Sequence, residues 1–153
     1  MEKIAREDKK ANDLFYVCSL IEYIARKTLN ERALIVNTLG KDEISKIYDL
    51  AEVYHCENID KITSELVSKY NIQQGEYDNI SIALYRIPTH WDIGKVMKRL
   101  ILEVSKRQEM SIINALFAVY NSFIVKKIDE YNCSMYYENT SYHYASYLKG
   151  SAA

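Results

Sequence analysis

The sequence predicts an all-α fold, and three observations carry that prediction. Only four glycines and one proline interrupt 153 residues, too few turn formers for a β-sandwich, which reverses its chain roughly every 8–12 residues. Apolar residues recur at i, i+3 and i+4 through most of the chain. The one strand-like run, Ile80–Tyr85, has no clear partner elsewhere, so a lone strand would leave its backbone hydrogen bonds unplaced. The expected architecture is a single-domain bundle of about six helices. It has an irregular 71–89 connection and a Tyr-rich C-terminal tail, with 11–70 and 89–149 as candidate subdomains.

The first helix spans Asn12 to Thr28, where Leu14, Val17, Cys18, Ile21, Ile24 and Ala25 form a stripe. Phe15, Tyr16, Leu20 and Tyr23 add a second apolar face, and a helix apolar on most sides belongs at the centre. Thr28-Leu-Asn-Glu31 reads as a capping box for a second, short helix that ends at Gly40, where glycine supplies a left-handed terminus. Ile44, Ile47, Tyr48, Ala51 and Tyr54 mark a third helix. Ile59, Ile62, Leu66 and Tyr70 mark a fourth, with Asn58 as its N-cap.

Residues 71–89 break the pattern with Gly75, Asp78-Asn79, the Ile80 run and Pro88, and an extended packed loop or a short helix is expected there. Thr89-His-Trp-Asp92 caps a fifth helix whose stripe is Ile93, Val96, Met97, Leu100, Ile101 and Val104. Ser111 caps a sixth, in which Ile113, Leu116, Phe117, Tyr120, Phe123, Ile124, Ile128 and Tyr131 hold period. That periodicity lasts about twenty residues, or roughly 30 Å. The first and sixth helices are expected to be the most buried. Residues 131–153 then hold six of the fourteen tyrosines. Most of the other eight continue helical stripes, whereas the six in the tail follow none, so they either wrap over the bundle or form a recognition surface.

Hydrophobic residues make up 48% and charged residues 27%, as in a folded globular chain. No apolar run approaches a membrane span. Met1–Lys10 mixes Lys3, Arg6, Lys9 and Lys10 with Glu2, Glu7 and Asp8 and lacks the apolar core of a signal peptide, so cytoplasmic residence is the expectation. Cys18, Cys56 and Cys133 are odd in number and widely spaced, which suggests reduced thiols rather than a disulfide framework or zinc ribbon.

Catalytic signatures are sparse. No two glycines lie within ten residues of each other, which excludes a Gly-rich phosphate loop, and three scattered histidines spell no nucleophilic triad. Glu52-x-x-His55 has the i, i+3 spacing of di-iron bundles, with Cys56 beside it, but the chain offers only one such pair. A helix-terminal His that satisfies carbonyls explains it as well. No cofactor and no metal are expected.

The net charge of -1 hides a dipole. Asp42–Glu65 holds seven acidic and two basic residues, while Arg86–Arg107 holds six basic and two acidic. Arg86, Lys95, Lys98, Arg99, Lys106 and Arg107 could therefore present a basic surface to an acidic partner or to nucleic acid. A helix-turn-helix at Leu39-Gly40-Lys41 is disfavoured because Asp42, Glu43, Asp49 and Glu52 would face phosphate. Trp91 either anchors a partner or closes the loop over the core.

Leu14-Phe-Tyr-Val-Cys-Ser-Leu-Ile-Glu-Tyr, followed by Ile47-Tyr-Asp-Leu-Ala-Glu-Val-Tyr-His55, resembles a group of small helical bacterial proteins often encoded beside ADP-ribosyltransferase-like toxins. The resemblance covers residues 12–70 and implies an antitoxin or accessory partner, with no catalytic residues. From Ile80 on, the chain departs from the smaller members of that group.

Together these readings predict a non-enzymatic protein-interaction module with another protein as partner. Arg86, Trp91, Lys95, Lys98, Arg99, Tyr136, Tyr137 and Tyr142 are the candidate contacts. The alternatives are a small metal-binding bundle enzyme at Glu52, His55 and Cys56, and nucleic-acid binding through 86–107. An amphipathic stripe can also be buried against a second copy, which keeps a homo-oligomer open.

Overall fold

The computed structural model describes residues 2–153, with side chains from Asp8 onward. Met1 and the side chains of Glu2, Lys3, Arg6 and Glu7, which entered the signal-peptide reading, lie outside the described residues. The described chain forms α1 (Glu2–Thr28), α2 (Arg32–Asp49), α3 (Ala51–His55), α4 (Ile59–Lys69), α5 (His90–Arg107), α6 (Ile112–Tyr120), α7 (Phe123–Ile128), a 3-10 turn at Met135–Tyr137 and α8 (Thr140–Lys149). No strand occurs among the described residues.

α1 starts ten residues before the expected Asn12, because the Lys, Glu, Asp and Ala residues ahead of it include no helix breaker. It is the axis of the molecule and touches α2, α3, α4 and α5. Its crossing with α5 is fixed by Gly94, where a Cβ would stand 2.0 Å from Ser19 Oγ and 3.0 Å from Ser19 Cα. No larger residue permits that approach. The buried apolar side chains of α1, α2, α5, α6 and α7 merge into one continuous core.

Local signals that involve only neighbouring residues appear as expected. Asn58 Oδ1 accepts from Asp60 N, Ser111 Oγ accepts from Asn114 N, and Thr89 and Asp92 complete their reciprocal capping box. Gly40 (φ 79°, ψ 169°) breaks α2 into two segments at a kink rather than as a left-handed cap.

Two further helix boundaries differ from expectation. Thr28 does not cap a new helix: its hydroxyl donates back to Ile24 O at 2.8 Å, and Glu31 takes the N-cap position of α2 without a side-chain bond. The carbonyls at the end of α1 are satisfied instead by the 71–77 segment, through Gly75 N to Thr28 O (2.8 Å) and Tyr77 N to Leu29 O (2.9 Å). The approach is so close that a Cβ on Gly75 would lie 2.4 Å from Leu29 O. The sixth helix is not one rod either. Asn121 Nδ2 donates to Phe117 O at 2.9 Å and Ser122 Oγ to Val119 O at 2.6 Å, which ends α6 and lets α7 restart from an extended Ser122.

The tail is packed. Tyr131, Met135, Tyr136, His143 and Ser146 are buried, His143 Nε2 lies 2.7 Å from Met135 O, and α8 rests on α5 and α7.

Candidate functional site

A charged cluster lies inside the bundle where α1 ends and α2 begins. Glu22 and Arg32 are each only 1% exposed. Arg32 grips the carboxylate with both arms, Nε to Oε1 at 2.9 Å and Nη2 to Oε2 at 2.6 Å. Arg26 Nε adds a third bond at 2.8 Å, and Tyr131 donates its hydroxyl as a fourth. Arg26 Nη2 in turn donates to Pro88 O (2.7 Å) and to Tyr131 Oη (3.1 Å), which ties the 71–89 connection to the cluster. Burial alone would raise the Glu22 pKa, but the guanidiniums of Arg32 and Arg26 and the Tyr131 hydroxyl overcome it and hold the group ionised, at about 2. A carboxylate so saturated is a structural anchor, not a base.

On the other side of Arg32 sits Asp129, at the end of α7, also buried. Its oxygen approaches Arg32 Nε at 3.5 Å, but that N–H is already directed at Glu22. Burial pushes the Asp129 carboxyl well up, against the pull of Arg32 and with a further push from Glu22. Asn79 knits the region together by accepting from Arg32 Nη2 (3.3 Å) and donating to Asp129 O (2.9 Å). Asp129 faces two adjoining hollows of about 210 and 750 Å³, both bordered by Glu31, Tyr77 and Lys126. The larger runs out under Ile82 and along Asn132 and Cys133.

Beyond that hollow the connection presents its apolar run to the outside. Leu84, Tyr85 and Ile82 are 79%, 67% and 65% exposed, although the run was expected to pack. The backbone leaves no freedom for that. Asp78 Oδ1 caps the N–H groups of Ile80 and Ser81, Asn132 Oδ1 accepts from Leu84 N at 2.7 Å, and Asn132 Nδ2 donates to Ile82 O at 3.0 Å. The Ile82 carbonyl and the N–H groups of Ile80, Ser81 and Leu84 are held, and the side chains of Ile82, Leu84 and Tyr85 turn outward.

The residues singled out by sequence fall into three places. Tyr136 donates to Arg86 O (3.4 Å), and its ring lies 4.0 Å from that of exposed Tyr137, so Arg86, Tyr136 and Tyr137 adjoin the exposed loop. Trp91 is half-buried against Phe15 at 5.6 Å, with His55 6.4 Å away. Lys98 lies 5.9 Å over Phe15. Lys95, Lys98 and Arg99 share α5 at i, i+3 and i+4, and burial together with Arg99 and Lys95 lowers the Lys98 pKa. Tyr142 is apart from both groups, on α8, where its hydroxyl donates to Ala153 O at 3.1 Å.

Glu52 and His55 border a different hollow together with Lys9, Asp13 and Tyr16. Lys9 Nζ is 2.9 Å from Asp13 and 3.7 Å from Glu52, so an ammonium already serves both carboxylates. Cys56 Sγ turns back to Glu52 O at 3.4 Å. Among the described residues no three His, Cys, Asp or Glu side chains gather as a metal-holding group.

Sequence reasoning missed Glu22, Arg26, Arg32, Asp129 and Tyr131. One signal was available: Glu22 is the one acid between Leu14 and Thr28, a stretch apolar on nearly every side, with Arg26 one turn later. No protein-family model, curated protein or solved structure matches the chain. No helix among the described residues is long and apolar enough to cross a membrane.

Proposed function

We propose that the chain is a non-enzymatic protein-interaction module that engages its partner through the loop at 80–87 and the adjoining Tyr137. The observation that carries this reading is a run of large apolar side chains held outward on a backbone fixed at both ends. Exposed apolar side chains gathered on one segment mark interaction surfaces more often than scattered ones do. A loop already ordered in the free state also loses little conformational freedom on docking. Asn132 and Tyr136 hold it from the C-terminal segment, giving that packed tail a positioning role. The form in which the partner is a toxin, neutralised or accompanied by this chain, is supported by the resemblance over residues 12–70.

The experiment is co-expression with the product of the adjacent gene, followed by co-purification of wild type and the triple variant Ile82→Ser/Leu84→Ser/Tyr85→Ser. Because these side chains are exposed, the variant is expected to keep its helical spectrum and melting point while losing the partner. Equal capture by wild type and variant would overturn the assignment of this surface.

Phosphate binding along α5 draws less support. Arg107 is paired with Glu103 at 2.7 Å and Lys98 is partly buried over Phe15, which leaves the basic segment weaker than its charge count.

A further inference from the structure

The hollow under Ile82, like the smaller one adjoining it, is lined by the Asp129 carboxylate, to which no group donates a hydrogen bond among the described residues. Asp129 is 4% exposed, and among the described residues its side-chain oxygens accept no hydrogen bond. Arg32 Nε stands 3.5 Å away as an ion-pair partner, so a donor entering the hollow would make the first hydrogen bond to this carboxylate. The rim adds charge of the same sign: Glu31, Glu76 and Asp78 surround the opening against Lys126, while Glu130 is paired with Lys127 at 3.4 Å. Asp78 is held ionised chiefly by the backbone N–H of Ser81. Between rim and floor the walls include Tyr77, Tyr131 and the exposed Ile82.

We propose that this hollow binds an organic cation, a guanidinium or primary ammonium on an apolar stem, with Asp129 as counter-ion. The cluster already shows that a guanidinium suits these surroundings. Arg32 sits beside Asp129 with its Cζ 5.6 Å from the Tyr77 ring centroid and donates to Asn79. The charge count also favours a second cation. The excess is at the rim, where Glu31, Glu76 and Asp78 outnumber Lys126 and Glu130 is paired with Lys127 at 3.4 Å, and that excess attracts positive charge. Where Asp129 carries a proton, binding expels it: the neutral acid and the cation give an ion pair and a released proton. The charged groups that set this equilibrium are Arg32 from α2, Glu22 and Arg26 from α1, Glu31 before α2 and Lys126 on α7. The inference concerns ligand chemistry and shares only Ile82 with the residues of the docking variant. The cation can come from a free small molecule or from an Arg or Lys side chain of a partner.

The test titrates the full chain with butylguanidinium, with butylurea as its neutral isostere and with a blocked Gly-Arg-Gly peptide, by calorimetry and amide NMR. The expected result is 1:1 binding of the cation at least tenfold tighter than the urea, with shifts at Tyr77, Asn79 and Asp129. Asp129→Asn should abolish that preference. Ile82→Arg, at an exposed position, should weaken cation binding about tenfold and covers the case in which Asp129→Asn perturbs folding. Peptide binding tighter than butylguanidinium assigns the cation to a partner side chain, and the reverse assigns it to a free molecule. Equal affinity for cation and urea, or no binding of either cationic probe at millimolar concentration, overturns the proposal. Loss of partner capture in Leu84→Ser/Tyr85→Ser, which spares Ile82, with cation binding intact would separate this site from the docking reading.

Discussion

Glu22 and Asp129 flank one guanidinium and differ in almost every other respect. Glu22 accepts from Arg32 twice, from Arg26 and from Tyr131. Asp129 stands 3.5 Å from the same Arg32 and accepts no hydrogen bond among the described residues. Depth does not distinguish them, since both are almost wholly out of water. The difference lies in donors. Burial penalises both ionised carboxylates, and only the one with donors recovers the loss, so one is driven down and the other up. The saturated group locks α1, α2 and the C-terminal segment together. The unsaturated one faces a hollow, where chemistry from outside can reach it.

The most damaging way to break this comparison is to remove the saturated partner. Glu22→Gln leaves Arg32 buried without its counter-ion and should cost about 3–5 kcal/mol of unfolding free energy in urea titrations. The pH sign follows from the depressed pKa. The contribution of Glu22 is full above the unfolded glutamate pKa, about 4.3, and is lost as pH falls toward about 2. Wild type should therefore lose stability through that window, and Glu22→Gln should show a flatter acid limb. Tyr131→Phe is the milder cut. It removes the hydroxyl that donates to Glu22 and accepts from Arg26, and should cost roughly 1.5–3 kcal/mol, the scale of a hydrogen bond to a charged group. A loss below about 0.5 kcal/mol would place the weight of the cluster on the two arginines alone.

How much of this was legible depends on the range of the interaction. The Thr89–Asp92 box and the Asn58 and Ser111 caps need only adjacent residues, and sequence named them correctly. Thr28 carried the same signature and failed, because bonding back to Ile24 competes with capping forward and the outcome depends on Gly75 arriving from elsewhere. The Asn121-Ser122 break was invisible to periodicity, since the apolar rhythm continues across it. The site was harder still. Glu22 was conspicuous as a charge in an apolar helix, but Arg32, Asn79 and Asp129 meet it only through the fold, and each alone reads as ordinary surface polarity.

The finest discrimination comes from Asp129→Asn, the counterpart of Glu22→Gln on the other side of Arg32. Removing a charge beside a buried guanidinium would ordinarily be expensive. Here the carboxylate makes no hydrogen bond that the amide would forfeit, and its ionisation is already opposed by burial. The expected loss at pH 5 is therefore less than about 0.5 kcal/mol. A raised folded-state pKa means that the native protein holds the Asp129 proton after the unfolded chain has released it, near pH 3.9. Through that interval the native state binds more protons, and stability falls as pH rises until the folded group ionises too. Asparagine abolishes that slope, so the variant should gain on wild type with increasing pH and match or exceed it at pH 8 in parallel urea titrations. A loss at pH 8 comparable to that of Glu22→Gln would make the two carboxylates equivalent and remove the distinction on which the cation site rests.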